Sequence, residues 1–129
     1  MARPTIHAEP LPPRGNCFTA ACPGREVLAH VTGRWGSLIV GALHRSPSLR
    51  FSALRAQIEG ISEKMLAQTL RELERDGIVA RHSHNVVPPR VDYSLTPLGT
   101  GVADHIFNLL AWIETHVADL VRAQRVYDR

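Results

Sequence analysis

Apolar residues recur at helical spacing along most of the chain and alternate over one short stretch only. The clearest stripe runs from Trp35 to Leu43, with apolar residues at i, i+3, i+4, i+7 and i+8. An earlier helix is predicted to begin at Cys22, as N-cap, with Pro23 in the first helical position, where the N–H that proline lacks costs nothing. Gly33 ends that helix. The pattern therefore predicts two consecutive helices in this part of the chain.

A short helix and a longer one follow, joined by a turn that contains glycine. Ser52 is the predicted N-cap of the short helix, and residues 59–61 form the turn. The longer helix runs from Ser62, a second good N-cap, to about Asp76, and Gly77 lies just past its end as the C-cap. Two helices joined in this way are typical of a helix-turn-helix.

The period changes from helical to nearly two after this helix. Residues 78–84 and 91–95 therefore predict two strands. Pro88 and Pro89 lie between them and belong at the tip of a hairpin, because proline cannot donate a ladder hydrogen bond. We interpret this hairpin as a wing beside the helix-turn-helix.

A final helix is predicted to begin with Thr96 as its cap and Pro97 in its first position. Its apolar side comprises Ala103, Ile106, Phe107, Leu110, Ile113, Val117 and Leu120. So much apolar surface exceeds what a small core needs and would be a liability on a monomer. Two-fold pairing of this helix would bury it and would place two DNA half-sites about one helical turn apart, roughly 34 to 36 Å.

These elements predict a mainly α fold with a small β-hairpin wing, a winged helix-turn-helix with terminal helices for dimerisation. Residues 1–21, rich in Pro, Ala and Gly, are predicted to form a flexible N-terminal arm. Residues 22–96 would be the DNA-binding domain and residues 97–129 the dimerisation helix. A chain of 129 residues, 44% of them hydrophobic, is long enough for one such domain with a core of its own.

The net charge indicates the class of partner, and the hydropathy indicates where the protein is located. The formal net charge of +3 favours an anionic partner, most often nucleic acid for a small domain. The longest apolar run, residues 38–43, is far too short to cross a membrane, and the N-terminus lacks the apolar stretch of a secretory signal. We therefore expect a cytoplasmic protein without a membrane partner.

The helix from Ser62 carries its polar groups opposite its leucines. On a helical wheel Leu66, Leu70 and Leu73 face the core. The residues of this helix predicted to contact DNA are Ser62, Lys64, Met65, Gln68, Arg71 and Arg75. Glutamine can pair with adenine, and lysine or arginine with guanine or phosphates. The alternative is an ordinary solvated face, since Glu72 and Glu74 interleave with the cations.

A second basic cluster on the hairpin makes that alternative weaker. It comprises Arg81, His82, His84 and Arg90, on the element that a winged fold lays beside the same duplex. Arg81 and Arg90 are the predicted DNA contacts, and Arg90, next to the tip, is expected to reach the minor groove or a phosphate.

Short motifs that follow one another between residue 22 and about residue 116 resemble one family. They are Cys22-Pro23, Gly33-Arg34-Trp35, Arg50-Phe51 with Leu54, Gly60-Ile61-Ser62 with Met65-Leu66, Leu70-Arg71-Glu72-Leu73-Glu74 with Asp76-Gly77, Pro88-Pro89-Arg90-Val91, Tyr93-Ser94-Leu95-Thr96-Pro97-Leu98-Gly99, and Trp112. With them the chain resembles the HxlR-type winged helix-turn-helix regulators, relatives of the MarR group. The resemblance implies a homodimer with paired terminal helices, a palindromic operator and usually repression. The wing departs from the family at His84 and Val86, where a Tyr and an acidic residue are frequent, and the arm lies outside the resemblance.

The two cysteines allow two interpretations. Cys22 at a helix N-terminus would be stabilised as a thiolate, and Cys17 could reach it as a resolving partner. The resemblance implies such a role, because several members of the family sense oxidants or electrophiles through a cysteine near the N-terminus. The alternative is that Cys22 packs as a small apolar residue in the dimer interface. Five positions separate the cysteines and no second pair follows, so we expect neither a metal site nor a cofactor.

The leading hypothesis is a sequence-specific regulator that binds double-stranded DNA, with an oxidant or a small molecule as its effector. The alternative is a winged-helix protein-interaction module that does not bind DNA. An enzyme is not expected, because the chain has no Gly-rich phosphate loop and no nucleophile elbow. Its carboxylates at Asp76, Asp92 and Asp104 are scattered over separate elements.

Overall fold

The computed structural model describes Leu11 and residues 14–129. This part of the chain forms six helices and a three-stranded antiparallel sheet. The helices are α1 (Gly24–Thr32), α2 (Arg34–Arg45), α3 (Phe51–Gln57), α4 (Glu63–Arg75), α5 (Pro97–Thr115) and α6 (Val117–Tyr127). The strands are β1 (Leu49–Arg50), β2 (Val79–His84) and β3 (Arg90–Leu95), in the order β1-β3-β2. None of these helices is both long and apolar enough to span a membrane.

The core forms where the apolar stripes of α2, α3 and α4 meet. Ile39 and Val40 of α2, Leu54 of α3 and Leu66 and Leu73 of α4 are completely buried. Burying side chains of this size contributes roughly 1.5 to 3 kcal/mol each. The predicted stripes of α3 and α4 are confirmed, whereas in α2 the predicted Leu38 is 37% exposed and Val40 is buried instead. The burial of one side of α4 leaves its opposite side facing solvent.

A glycine follows the end of the helix-turn-helix as predicted, although the C-cap itself is Asp76 and Gly77 lies one residue beyond it. Gly77 follows α4 with φ +77°, a backbone conformation that costs glycine little. Its N–H donates to the Glu74 carbonyl, and the N–H of Ile78 donates to the Leu73 carbonyl, both at 3.0 Å. This pair of bonds is a Schellman motif, which satisfies the last carbonyls of α4 and turns the chain into the wing.

Two predicted helix starts are wrong, that of α3 by two residues and that of α1 by one. Ser52 lies inside α3, whose N-cap is Arg50, and Cys22 lies one residue before Pro23, the N-cap of α1. The first error has a clear cause, because Leu49 and Arg50 form the short strand β1 and α3 begins directly after it. Two residues are too few to show a strand period, so the sequence pattern predicted only the hairpin.

The hairpin lies within one residue of its prediction. Residues 85–89 connect its two strands, and Pro88 and Pro89 lie in this connection as expected. β3 is the central strand and pairs with β1 on one side and β2 on the other. The sheet therefore brings residues from before α3 beside the wing.

The predicted single C-terminal helix is divided into α5 and α6 at His116. The backbone N–H of His116 is shared between the carbonyls of Trp112 and Ile113, at 3.1 Å each, which tightens the last turn of α5. The imidazole of His116 stacks on the Trp112 indole with ring centroids 4.5 Å apart. The apolar pattern continues through this break, so the sequence pattern does not indicate where α5 ends.

The predicted N-terminal arm is described only in part, because residues 1–10, 12 and 13 lie outside the described residues. Successive turns occupy residues 16–22. The carbonyl of Asn16 accepts the Thr19 N–H at 3.1 Å, and the carbonyl of Thr19 accepts the Cys22 N–H at 3.2 Å. These turns hold Cys17 and Cys22 on one short segment before α1.

Candidate nucleic-acid interface

The exposed side of α4 carries Lys64, Gln68 and Arg71, which we name the α4 outer face. Leu66, Leu70 and Leu73 are buried on the other side of the same helix. The wheel prediction for these residues is therefore confirmed as far as their exposure is concerned. A helix with this arrangement presents donors for base edges and cations for phosphates to an outside partner.

The N-terminus of α4 is capped by a predicted site residue. The hydroxyl oxygen of Ser62 accepts the N–H of Met65 at 3.0 Å, so Ser62 is the N-cap, as predicted. Because the oxygen accepts in this bond, the hydroxyl proton of Ser62 can still be donated outward. Met65 is 37% exposed and adds an apolar contact surface beside it.

Two other predicted residues of α4 have partners within the protein. The side-chain amide of Gln68 donates to the carboxylate of Glu72 at 3.4 Å, a long and exposed bond that an adenine edge could replace. Arg75 lies 3.6 Å from the Glu26 carboxylate of α1. Arg75 is thus tethered to α1 at the far end of the helix.

A cleft between α4 and the sheet brings together cations from two elements. Ala67, Leu70, Arg71 and Glu74 line it from α4, and Arg81 and Tyr93 line it from the sheet. Arg81 and Tyr93 are cross-strand partners. Two residues that the sequence placed in separate clusters, Arg71 and Arg81, therefore face one cleft.

The predicted single basic cluster of the wing is divided between the two faces of the sheet. Side chains alternate along a strand, so Arg81 points to the face opposite His82 and His84. Arg90 is the cross-strand partner of His84 and shares its face. The sequence shows that side chains alternate within β2. Which of those side chains share a face with Arg90 depends on the register between β2 and β3, which the sequence does not show.

Asp92 is a residue whose importance the sequence analysis missed. It is 6% exposed, its carboxylate lies 2.8 Å from His84 Nε2, and the carboxylate accepts one hydrogen bond from Arg90 and forms an ion pair with it. Burial opposes ionisation of this carboxyl, but the hydrogen bonds from Arg90 and His84 together outweigh it and lower its pKa. The sequence carries no signal of this burial, because Asp92 occupies a polar position of the alternating strand.

An ionic contact joins α1 to the end of α4. His30 Nδ1 lies 2.6 Å from the carboxylate of Asp76, whose side chain is only 5% exposed, and His30 Nε2 lies 3.9 Å from Glu72. The hydrogen bond to Asp76 raises the pKa of His30 although burial opposes this. The two residues are 46 positions apart, and no local pattern indicates their contact.

We expect His30→Gln to destabilise the protein more at about pH 5.5 than at about pH 8.5. The pKa of His30 is raised above 6.5, so its stabilising charge is fully present below that value. The contribution is lost as the pH rises through the raised pKa. Urea unfolding of both proteins across this range measures the difference. His105→Gln, which changes an exposed histidine of α5, is the control; a pH-independent difference for His30→Gln would contradict the assignment.

Two free thiols lie close together before α1. Cys17 Sγ and Cys22 Sγ are each 3.5 Å from the position that a Cβ on Gly24 would occupy. A hydrogen bond from the backbone N–H of Gly24 is the main cause of a lowered pKa at Cys22, while burial opposes it. Among the described residues no group of three or more His, Cys, Asp or Glu side chains is placed to hold a metal ion.

Comparison with known proteins gives one family. Residues 30–120 match the family model described as HxlR-like helix-turn-helix. The HTH-type transcriptional regulator YtfH of Escherichia coli (strain K12) is 53% identical over 107 residues, which are 83% of this chain and 84% of that protein.

Solved structures give the same result. The putative transcriptional regulator ytfH from Salmonella typhimurium is 53% identical, with a TM-score of 0.81, over 90% of this chain and all of that one. The structure described as the redox regulator HypR in its reduced form is 32% identical, with a TM-score of 0.69, over 78% of this chain and 98% of that one. These neighbours are similar to this chain over its winged helix-turn-helix.

Proposed function

Because the chain belongs to the HxlR-like helix-turn-helix family of transcriptional regulators, we propose that it acts as a homodimeric repressor on a pseudo-palindromic operator in double-stranded DNA. The observation that carries this proposal is the α4 outer face, which is exposed and polar while the reverse of the same helix is core. Residues 22–96 would be the DNA-binding domain and residues 97–129 the dimerisation segment. Such a protein acts where the chromosome lies, so a cytoplasmic location belongs to the same proposal.

In this proposal α4 enters the major groove. Gln68 pairs with an adenine edge and Lys64 with a guanine, since these side chains match those donor and acceptor patterns. Arg71 and Arg81, on either side of the cleft between α4 and the sheet, bind phosphates and set the orientation of the helix. Ser62 and Met65 contact the backbone and a base edge at the helix N-terminus.

The dimer is supported by apolar surface that has no partner within one protomer. α6 has no buried residue, and an 11-residue helix is too short to be stable alone in water. Trp112 is 52% exposed and Val117 is 49% exposed, in line with Leu109 and Leu120. A second copy that brings the same stripe would cover these side chains, as a two-fold interface requires.

We expect Trp112→Glu to convert the protein into monomers. A carboxylate at the centre of an apolar interface is buried without a partner, and breaking such a contact costs several kcal/mol. Light scattering over a dilution series measures the change. Leu98→Glu, which alters a 71% exposed leucine in the first turn of α5, should remain dimeric. A dimeric Trp112→Glu protein would refute this interface.

DNA binding is tested by fluorescence anisotropy with a labelled random-sequence duplex at about 50 to 200 mM salt. A protein that neutralises several phosphates loses affinity steeply over this range. The alternative, a winged-helix protein-interaction module, predicts no salt-dependent binding to any duplex. Absence of such binding by the reduced dimer would therefore reject the regulator and favour the module.

We also propose that Cys22 and Cys17 sense oxidants, an interpretation supported by the likeness to a protein described as a redox regulator. Both sulfur atoms lie beside Gly24, so the two thiols can form one disulfide by losing two protons and two electrons. A peroxide would accept the two electrons and the two protons. An organic peroxide would be reduced to an alcohol and water, and hydrogen peroxide to two waters. The alternative is that Cys22 packs in the dimer interface, where it would be protected from reagents.

We expect Cys22 to react before Cys17 when the reduced protein meets less than one equivalent of iodoacetamide near pH 7. The lowered pKa of Cys22 raises its thiolate fraction, and the thiolate is the nucleophile. Peptide mass spectrometry identifies the alkylated residue. Cys17→Ser is the control, in which the rate of Cys22 should change little; protection of Cys22 in the dimer would favour the packing interpretation.

A further inference from the structure

We propose that Arg50 and Arg90, gathered over the buried carboxylate of Asp92, form a clamp for one DNA phosphate. This inference rests on the proposed function and adds a residue outside the helix-turn-helix and wing contacts described above. We name Arg50, Arg90 and Asp92 the sheet clamp.

The sheet topology brings these three residues together. β3 is the central strand, and Arg50 of β1 is the register partner of Asp92. Arg90 precedes Asp92 by two positions on β3 and therefore shares its face. The side chain of Arg50 thus approaches the carboxylate from the neighbouring strand β1, and that of Arg90 approaches it along β3.

The distances show a carboxylate that is held by Arg90 and flanked by Arg50. Arg90 Nη2 is 3.3 Å from Asp92 Oδ2, and Arg90 Nε donates to Oδ1 at 3.4 Å. Arg50 Nε is 3.9 Å from Oδ1, which is beyond hydrogen-bond distance. The carboxylate therefore holds the Arg90 guanidinium and attracts that of Arg50 without a hydrogen bond, so most N–H donors of the two groups stay available.

The charge and exposure of the clamp suit an anion. One carboxylate faces two guanidinium groups, so the three residues carry a net positive charge. The side chain of Asp92 is 8% exposed, whereas those of Arg50 and Arg90 are 58% and 47% exposed. A guanidinium has five N–H donors in a planar fork that matches phosphate oxygens. Holding the Arg90 fork in place before binding reduces the side-chain entropy lost on contact.

A purely structural role for the cluster makes a different prediction. If Asp92 only fastens the hairpin, Arg50 contributes to stability and not to DNA affinity. If the clamp binds a phosphate, loss of the Arg50 charge changes how steeply affinity falls with salt. The salt dependence of binding therefore distinguishes the two roles.

The experiment measures affinity for an operator duplex and for a random duplex as a function of salt. Arg50→Gln removes the charge and keeps a polar side chain, and Arg50→Lys keeps the charge. Arg122→Gln, which removes an exposed cation of α6, is the control for net charge. Asp92→Asn removes the charge that holds Arg90 and attracts Arg50. Thermal melting confirms that each variant is folded at the assay temperature.

For Arg50→Gln we expect the slope of log affinity against log salt to become shallower by about 0.9 per protomer, or about 1.8 in a dimer. Arg50→Lys and Arg122→Gln should keep the wild-type slope. Asp92→Asn should lower the ratio of operator affinity to random-duplex affinity several-fold, because added positive charge helps both duplexes while the loss of orientation harms the specific complex. A slope for Arg50→Gln equal to that of Arg122→Gln, or an unchanged ratio for Asp92→Asn, would overturn the clamp. If the wild-type protein shows no salt-dependent binding, the proposed function itself fails.

Discussion

Replacing Gly99 with alanine is expected to lower the free energy of unfolding by about 3 kcal/mol or more, a large share of the stability of a small domain. Gly99 lies in the first turn of α5, and its N–H donates to the Thr96 hydroxyl that caps the helix. A Cβ at this position would overlap the backbone carbonyl of Ile78. The Ile78 carbonyl also accepts the Thr96 N–H, so the backbone cannot move away without losing this connection. Urea unfolding measures the loss.

The chain offers a matched control two residues further along. A Cβ added to Gly101 meets no atom within 4 Å. Gly101→Ala should therefore be neutral or stabilise by about 0.5 to 1 kcal/mol, as alanine does in a helix. Equal stability of the two alanine variants would contradict the close approach of α5 to the start of the wing.

Gln68→Ala is expected to weaken operator binding by about tenfold or more while leaving affinity for random duplexes unchanged. Each bidentate contact between glutamine and adenine contributes roughly 1 to 3 kcal/mol of discrimination, and a dimer loses it in both half-sites. Gln68 is uncharged, so its loss does not alter the phosphate contacts that dominate nonspecific binding. Competition between operator and random duplexes measures the ratio.

A loss of stability should not be the cause of the weaker operator binding of Gln68→Ala. The bond from Gln68 to Glu72 is exposed and 3.4 Å long, so its loss should leave the melting temperature nearly unchanged. Gln124→Ala on α6 is the matched control and should bind as the wild type does. If both variants keep full discrimination, α4 does not read bases through Gln68.

The parts of the fold set by local burial were predictable from the sequence. The leucines of α4 recur at helical spacing because one side of the helix is core, and that spacing also located the α4 outer face. Gly77 ended the helix where its positive φ is needed. The family resemblance rested on the same segments, and the comparisons confirm it.

The parts set by contacts between distant residues were not predictable. Strand β1 has two residues and shows no period, so nothing in the sequence indicates that Arg50 lies beside Asp92. The contact between His30 and Asp76 joins helices that are far apart along the chain. The break at His116 lies within a continuous apolar pattern. In each case the missing information is the register or the packing of elements, which local periodicity does not contain.

In the proposed regulator, two copies of α4 read two half-sites of one operator. The most direct test of this arrangement is selection of bound duplexes from a random pool by the reduced protein, followed by sequencing. We expect an enriched pseudo-palindrome whose half-sites are centred about one helical turn apart, roughly 34 to 36 Å. Enrichment of a single unrepeated site, or no enrichment at near-physiological salt, would contradict it.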